Sequence, residues 1–444
     1  MRRRPPRSDR RRRSGARVDP LDQEVLELTL GEPAHGGACV ARDAGGRVVF
    51  VRHGLPGERV RARVTSTRNT LAWADVEDVL DPSVDRVASV WPQAGPGGVG
   101  GGELAHVRPS AQRRWKSDVL RGQLRRVGGE ALAARVAELG GVEVAPAPGD
   151  EGGLDPLLGR RTRIELVVDE SGRAGMHRYR GREVIALDSM PLAVPAITGL
   201  DLFGDSPWQE IWEPGDRVRV VAPTSGEPVV VTPRGVHDAT GTRLGEDPLE
   251  WSVSLPGDEG AGTYRVSPRG FWQTHLRGAQ VLAAAVVRGA EASAGQRVAE
   301  LYSGAGLFTR LLADAVGPQG RVASLEGEET AVADASANLG NRPWAETFVG
   351  AVDAEGVVDL AAELAGPADV VVLDPPRAGA GRDVMRAVAG VRAPRVVLVS
   401  CDPAAGARDL RALCEGGYTL EGMEAWDLFP HTHHLEFVAV LTRS

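Results

Sequence analysis

The sequence predicts an α/β chain in which a doubly wound parallel sheet (residues 261–444) follows a small β-barrel (21–82) and a central α+β domain (83–260). Three observations carry this reading. From about Tyr264, apolar strand-like runs alternate with amphipathic helical ones: VAELYS then LFTRLLADAV, RVASLEG then ETAVADASANLG, ADVVVLD then RDVMRAVAG, RVVLVSC then GARDLRALCEGG. Repeated βα units of this kind build a parallel sheet covered by helices on both faces. From about Leu26 to Val79, five short β-rich runs are divided by Gly and Pro turns, the spacing of a small barrel. Between the two lie a Gly-rich loop (WPQAGPGGVGGGEL), a basic helical stretch (AQRRWKSDVLRGQLRRV, 111–127) and strands such as RTRIELVV. These read as an α+β domain with antiparallel hairpins, and the 111–127 helix is a candidate to pack on the C-terminal domain.

The first twenty residues carry nine arginines against two aspartates, so a formal net charge of −8 leaves −15 on the rest of the chain. Such a segment reads as a disordered arm able to hold phosphates without sequence preference, or as a plainly solvated terminus. No run approaches the roughly 18 apolar residues of a membrane span. The arginine-rich start lacks the apolar stretch of a signal peptide, so the cytoplasm is the expected location. Cys39, Cys401 and Cys414 lie in dissimilar contexts and offer neither a disulfide framework nor paired ligand spacing. His431, His433 and His434 have no nearby Cys or His partner, and no metal is expected there.

Four segments carry the chemistry. VAELYSGAGLFTRLLA (298–313) is a strand, a glycine turn and a helix; Gly304 and Gly306 allow close backbone approach, and the helix N-terminus adds partial positive charge. Glu326 ends the next strand, where a carboxylate can accept from both hydroxyls of a ribose. A dinucleotide fingerprint would want a third glycine where Thr309 stands, which argues against a dehydrogenase. ADVVVLDPPRAGAG (368–381) is a buried-type strand ending in Asp374, Pro375, Pro376 and Arg377. VLVSCDPAAGARDL (397–410) puts Cys401 at the C-terminal lip of a strand, where a thiol can act as a nucleophile. LFPHTHHLEFVAVL (428–441) places Glu436 on a further β segment; that segment and YTLEGMEAWDLF have no helix between them and read as an antiparallel hairpin at one sheet edge.

In this order and spacing the four segments resemble the RNA uracil-5-methyltransferase family, which uses S-adenosylmethionine. The resemblance covers nearly the whole chain and is strongest over 298–441. HGGACVARDAGGRVVFVRHGLPGERVRARV (35–64) is similar to the TRAM module, an oligonucleotide-binding (OB-type) barrel fused to several RNA-modifying enzymes. The resemblance implies a class I (Rossmann-like) methyltransferase domain over 261–444, RNA as partner and a monomer. It favours 23S ribosomal over transfer RNA, because the barrel accompanies the ribosomal branch more often.

The resemblance further implies S-adenosylmethionine contacts at Gln273 (in RGFWQTH), Tyr302, Glu326 and Asp374, with Gly304 and Gly306 in the turn and Asp353 a secondary candidate near the adenine. Cys401 matches the family nucleophile, which adds to carbon 6 of uracil; SCDPAAGARDL has Ala405 where the family more usually has Thr. Glu436, in H-x-E, matches the base that removes the carbon 5 proton. A thiol with a pKa of about 8.5 needs help to ionise, expected here from the helix near Pro403 and from Arg408. Asp374 and Arg377 are expected near the uracil edge, and Cys414 is expected to be a small buried apolar residue.

Many family members hold an iron-sulphur cluster with three cysteines in a segment similar to 91–102 and one near 190. Trp91, Val99, Gly102 and Met190 occupy those places, so no cluster is expected. An amino-methyltransferase would want an aromatic residue at Arg377, and a cytosine-5 enzyme a Pro-Cys at Pro375 and Pro376. A non-catalytic RNA-binding or folding factor would have no need of Cys401, Asp374 and Glu436 together.

Overall fold

The computed structural model describes residues 24–151, 156–255 and 262–443; the arginine-rich segment 1–20 lies outside them. The N-terminal sheet comprises β1 (Val25–Thr29), β2 (Pro33–Ala34), β3 (Ala38–Arg42), β4 (Val48–Arg52), β5 (Arg59–Arg68) and β6 (Leu71–Asp81), in the order β1-β5-β6-β4-β3-β2. Along β5 exposed and buried residues alternate, so Val60, Ala62 and Val64 enter a core shared with Cys39, Val49 and Val51. Just past β1, the Gly31 amide donates to the Val40 carbonyl (2.8 Å) and the Val40 amide to the Glu32 carbonyl (2.9 Å), closing the sheet on itself.

The barrel is bolted to the rest of the molecule. Arg52 makes a buried, two-bonded pair with Asp75 (2.9 and 2.8 Å), and its guanidinium lies 3.6 Å above the Tyr179 ring. Arg86 reaches back to Glu58, whose side chain is fully enclosed. Bidentate pairs of this kind fix orientation as well as distance.

After α1 (Pro109–Gln123), α2 (Glu130–Glu138) and β7 (Val144–Pro146), the central sheet contains β8 (Arg163–Val168), β9 (Ala174–His177), β10 (Val184–Ala186), then, past the single turn α3 (Pro195–Thr198), β11 (Arg217–Val221), β12 (Val229–Thr232), β13 (Gly235–His237) and β14 (Arg243–Leu244). Its order is β10-β9-β8-β11-β12-β13-β14, antiparallel throughout. Trp91, Val99 and Met190 all fall in its core, and a side chain at Gly102 would meet Trp91 Cε3 at 3.0 Å and the Ala94 methyl at 2.5 Å. The four positions where relatives carry cluster cysteines therefore converge here, but as an apolar plug without a thiolate. They do not fit an iron-sulphur cluster.

The hairpin β15 (Leu249–Val253) and β16 (Gly262–Val266) leads into α4 (Gly278–Ala290). Seven further strands and five helices follow: β17 (Arg297–Leu301), α5 (Leu307–Val316), β18 (Arg321–Glu326), α6 (Glu329–Leu339), β19 (Ala345–Val349), α7 (Ala354–Glu363), β20 (Val370–Leu373), α8 (Arg382–Val391), β21 (Arg395–Ser400), α9 (Pro403–Glu415), β22 (Thr419–Asp427) and β23 (Glu436–Thr442). The sheet order is β19-β18-β17-β20-β21-β23-β22-β7. β17 to β21 are parallel, and the all-buried VVVL of β20 shows why such a strand is continuously apolar: helices cover both faces. From β17 the chain winds outward to β18 and β19, then returns to the other side at β20. The crevice at the C-terminal ends of β17 and β20 is the switch point at which such sheets bind ligands.

The hairpin expected at one edge forms, with β23 inside and β22 outside, but it is not the edge. The three residues of β7 add parallel to β22 and occupy that place. They arrive with α1 and α2, whose Leu120, Leu124, Leu132 and Val136 share a core with β21 and β23. Residues 109–146 thus pack on the C-terminal sheet. The deepest tie is Lys116 of α1: wholly buried, it pairs with buried Asp427 (2.5 Å) and donates to the Phe429 carbonyl (2.9 Å). Breaking one half of a buried pair strands the other charge. Lys116→Met or Asp427→Leu alone should each lower stability by about 3–5 kcal/mol, and the double variant by much less, as measured by denaturant unfolding.

Candidate active site

The strand registers bring the expected residues together. Leu301 pairs with Leu325 on one side and Leu373 on the other, so Tyr302, Glu326 and Asp374 emerge at the ends of three adjacent strands. The Tyr302 amide donates to the Leu325 carbonyl (2.9 Å), and Tyr302 takes a φ of +62°, a strained conformation for a side chain of its size. Glu326 receives Gly304 N on one oxygen (3.0 Å) and Gly327 N and Glu328 N on the other (2.7 and 3.1 Å), which ties the glycine turn to the next strand. Gly304 (φ +52°) has open space where a side chain would stand, leaving backbone bare to the crevice. Gly306 (φ +81°) is needed for packing, since a Cβ would sit 3.0 Å from that of Ala335.

Ser400 pairs with Phe437 as the last rung of the antiparallel β21–β23 ladder, so Cys401 and Glu436 are the next residues on the two segments, and Glu436 is near enough to raise the Cys401 thiol. Asp402 caps α9 by accepting from the Ala404 and Ala405 amides (3.0 and 2.8 Å), with Pro403 at the first helical position. Gln273 lies in the loop before α4, between Trp272 and Thr274, which line the adjoining cavity. Asp353 caps α7 through the Glu355 and Gly356 amides (3.1 and 2.9 Å) beside a separate hollow past β18 and β19.

The electrostatics differ from expectation at Cys401. Burial pushes its thiol up to about 12, Glu436 and Asp374 add to the rise, and Arg377 is the cation that opposes it. Arg408 is not that cation: its guanidinium turns away to the Ala378 carbonyl (2.6 Å). The helix N-terminus is already engaged by the Asp402 carboxylate. Burial also drives Asp374 up to about 7 and, together with Asp374, holds Glu436 well above the usual carboxylate range, while Arg377 pulls Glu436 down. Glu436 is buried, with one oxygen lacking a hydrogen-bond partner.

Several residues here escaped the sequence reading. Glu300, buried in β17, is pushed up to about 8 by burial, with Thr309 pulling it down and Asp374 and Glu326 adding to the rise. A carboxyl in an otherwise apolar strand was its visible signal. Arg161 and Glu103 gave none; they face the site from the central domain. A cavity of about 850 Å³ between the central sheet and the catalytic loops is walled by Arg161, Arg163, Arg219, Arg269, Arg377 and His434. A second hollow of about 640 Å³ shares Tyr179, Arg219 and Arg269 with it and continues to Arg178, Arg180 and Arg217. His431 is structural: its ring nitrogens meet Gln112 Nε2 (3.1 Å) and the Pro156 carbonyl (2.6 Å). No cluster of three or more His, Cys, Asp or Glu suited to a metal occurs among the described residues.

Residues 254–444 match the family model described as tRNA (Uracil-5-)-methyltransferase, and residues 23–76 match the TRAM domain. An uncharacterised RNA methyltransferase of Streptomyces coelicolor is 38% identical over 94% of this chain and 93% of its own length. The 23S rRNA (uracil(1939)-C(5))-methyltransferase RlmD of Halomonas elongata is 32% identical over 94% of this chain and 89% of its own. The chain belongs to the RNA uracil-5-methyltransferase family. The fold also matches the crystal structure of the tRNA (uracil-54, C5)-methyltransferase of Pyrococcus abyssi in complex with S-adenosyl-L-homocysteine, with a TM-score of 0.63, 21% identity, and 94% of this chain and 99% of that one covered.

A member of this family is an S-adenosylmethionine-dependent enzyme, and the switch-point crevice fits that molecule. S-adenosylmethionine carries a sulfonium and an ammonium, and Glu300, Glu326 and Asp374 gather at this crevice, where Asp374 and Glu326 both act on Glu300. The Ser303 hydroxyl, buried beside the bare turn, also lacks a hydrogen-bond partner. Because Asp374 (about 7) and Glu300 (about 8) are raised, they hold protons near neutral pH; a bound cation favours their ionised forms and drives those protons off. Affinity for S-adenosylmethionine should therefore rise with pH between 6 and 8, by up to about tenfold per unit for each proton released. Calorimetry in two buffers of different ionisation enthalpy should register proton release; pH-independent affinity with no release would contradict it.

Proposed function

We propose that this protein methylates carbon 5 of a uridine in 23S ribosomal RNA through a covalent adduct on Cys401. The observation that carries the reading is that Cys401 and Glu436 directly follow the last rung of the β21–β23 ladder, Ser400–Phe437, with Glu436 acting on the thiol and Arg377 acting electrostatically on both. Cys401, its thiol proton given up to solvent as the complex assembles, adds as the thiolate to carbon 6, and the ring electrons move towards the carbonyl oxygen at carbon 4, giving an enolate with a nucleophilic carbon 5. Arg377 is the cation placed to offset that charge. S-adenosylmethionine supplies, when bound, the electrophilic methyl group that carbon 5 takes. Glu436 then removes the proton from carbon 5, the carbon 5–carbon 6 double bond re-forms, and the Cys401 thiolate leaves. Positive charge brought beside Asp374 lowers Asp374, Glu436 and the Cys401 thiol together, so the groups reach their reactive forms in the assembled complex rather than in the free protein.

The arginine-walled hollows supply the route for RNA. Their cations suit a phosphate backbone, and a uridine turned out of its stack can enter the larger one beside Arg377. Ribosomal RNA is favoured because the relative acting on 23S RNA is similar over nearly the whole chain, whereas the likeness to the transfer-RNA enzyme is one of fold.

Labelled methyl transfer to separate pools of unmodified ribosomal and transfer RNA, with nucleosides identified by mass spectrometry, tests this. The expected product is 5-methyluridine in the 23S pool; label in transfer RNA alone would overturn the substrate. Cys401→Ala should abolish both turnover and trapping by 5-fluorouridine RNA, and undiminished turnover would sink the covalent step. Glu436→Gln should attack and methylate but release slowly, accumulating a protein–RNA adduct on denaturing gels, whereas Cys414→Ala should behave as the unaltered protein.

A further inference from the structure

One contact joins the N-terminal barrel directly to the nucleophile's loop. His35, in the turn between β2 and β3, places Nε2 2.9 Å from Asp402 Oδ2. The other oxygen of that carboxylate caps α9, and Cys401 is the preceding residue. Asp402 is further fixed by Ser400, whose hydroxyl donates to the Asp402 carbonyl (3.1 Å). The same barrel turn also presses on the base's side of the site. Gly37 (φ +82°) lies so close that a Cβ would meet Glu103 Cβ at 2.9 Å and His433 Cβ at 3.6 Å. His433 stands three residues before Glu436, its ring centroid 6.1 Å from that of His35, with Nδ1 3.4 Å from Glu103 Oε2. Turn 35–37 is thus wedged between the segment carrying the nucleophile and the segment leading to the base. Arg52, locked by Asp75 within the barrel and lying over the Tyr179 ring, and the Arg86–Glu58 pair hold the barrel against the body, so the wedge has a rigid backing.

We propose that His35 is a positioning residue for methyl transfer: its bond to Asp402, with the turn seated on His433, sets the geometry between Cys401 and Glu436. The barrel then governs the rate of the chemical steps as well as the grip on RNA. His35 touches no reacting atom and acts through Asp402, whose cap orients the first turn of α9 and the Cys401 backbone. Small displacements of reacting groups are costly, with about 1 Å worth on the order of 100-fold in rate.

This inference rests on the proposed function, and one assay separates the two. In steady state with 23S RNA, His35→Ala should lower kcat by about 10- to 100-fold while leaving KM for RNA within about twofold. His35→Gln, whose side-chain amide can still donate towards Asp402, should recover most of the loss. Gly37→Ala, which pushes the turn off Glu103, should reproduce the His35→Ala effect. Trapping with 5-fluorouridine RNA, which reads attack and methylation without the final proton removal, should slow by the same factor as kcat in His35→Ala.

A rise in KM with kcat unchanged would overturn the proposal in favour of a barrel that only grips RNA. Equal losses in His35→Ala and His35→Gln together with a lowered melting temperature would overturn it in favour of a purely structural contact. Failure of the unaltered protein to transfer methyl would sink the functional reading itself, an outcome distinct from variants that match an active parent.

Discussion

The antiparallel register of β21 against β23 is the constraint on which the chemistry of this molecule depends. A slip of one residue would turn every side chain of β23 to the other face and take Glu436 away from Cys401. Phe437 prevents it. Its ring is fully buried against α9, where Gly406 leaves the room: a Cβ there would sit 2.2 Å from Phe437 Cζ. The ring has one place to go, and that place fixes its neighbour Glu436 on the opposite face. The glycine in α9 and the aromatic beside Glu436 are two halves of one register lock.

Around that ladder the free protein holds groups away from their ordinary ionisation. Glu300 is a carboxyl in a buried strand, Glu436 and Asp374 crowd one another, Tyr302 is left-handed, and the Cys401 thiol is driven up rather than down. Each breaks a local rule of stable folding, and they occur together, at the ends of four neighbouring strands. Breaches of this kind are expected where a site must complement something absent from the chain itself. Carboxyls gathered in a dry crevice can meet a sulfonium and an ammonium with negative charge once they ionise, and Arg377 can offset negative charge that arises beside Cys401. The site is built for the assembled complex, and the free protein bears the cost.

The parallel sheet was legible because its strands are continuously apolar and its turns are marked by Gly304, Gly306 and the Asp374–Pro375–Pro376 stop. Cys401 and Glu436 were legible as a pair because each closes a motif. What the sequence hid was contact between segments distant along it. Three residues, VAP, have no periodicity to announce β7 as the sheet's edge, and Lys116 reads as one more cation in a basic helix until Asp427 is found beneath it. Arg408 was chosen as the thiol's cation by nearness along the chain. In space the role falls to Arg377 from the neighbouring strand end, and the sign of the thiol's shift follows burial, which no motif records. Glu300 could have been found, since an acid inside an apolar strand always needs a reason.

The apolar plug in the central domain bears on the same site. Trp91, Val99 and Met190 pack behind the loop that runs from Gly98 to Glu103, and this loop presents Gly101 and Glu103 to the cavity. Glu103 is held by the Gly101 amide (2.8 Å) and stands against Gly37 and His433, so the loop is part of the frame around the base. Metal–thiolate bonds would hold such a loop by a few strong, oxidisable links. Packing holds it by many weak ones, about 1.5–3 kcal/mol for each large side chain buried. The loop's position here rests on that packing. The apolar interior of the central domain thereby holds the face that the loop turns toward His433 and the barrel.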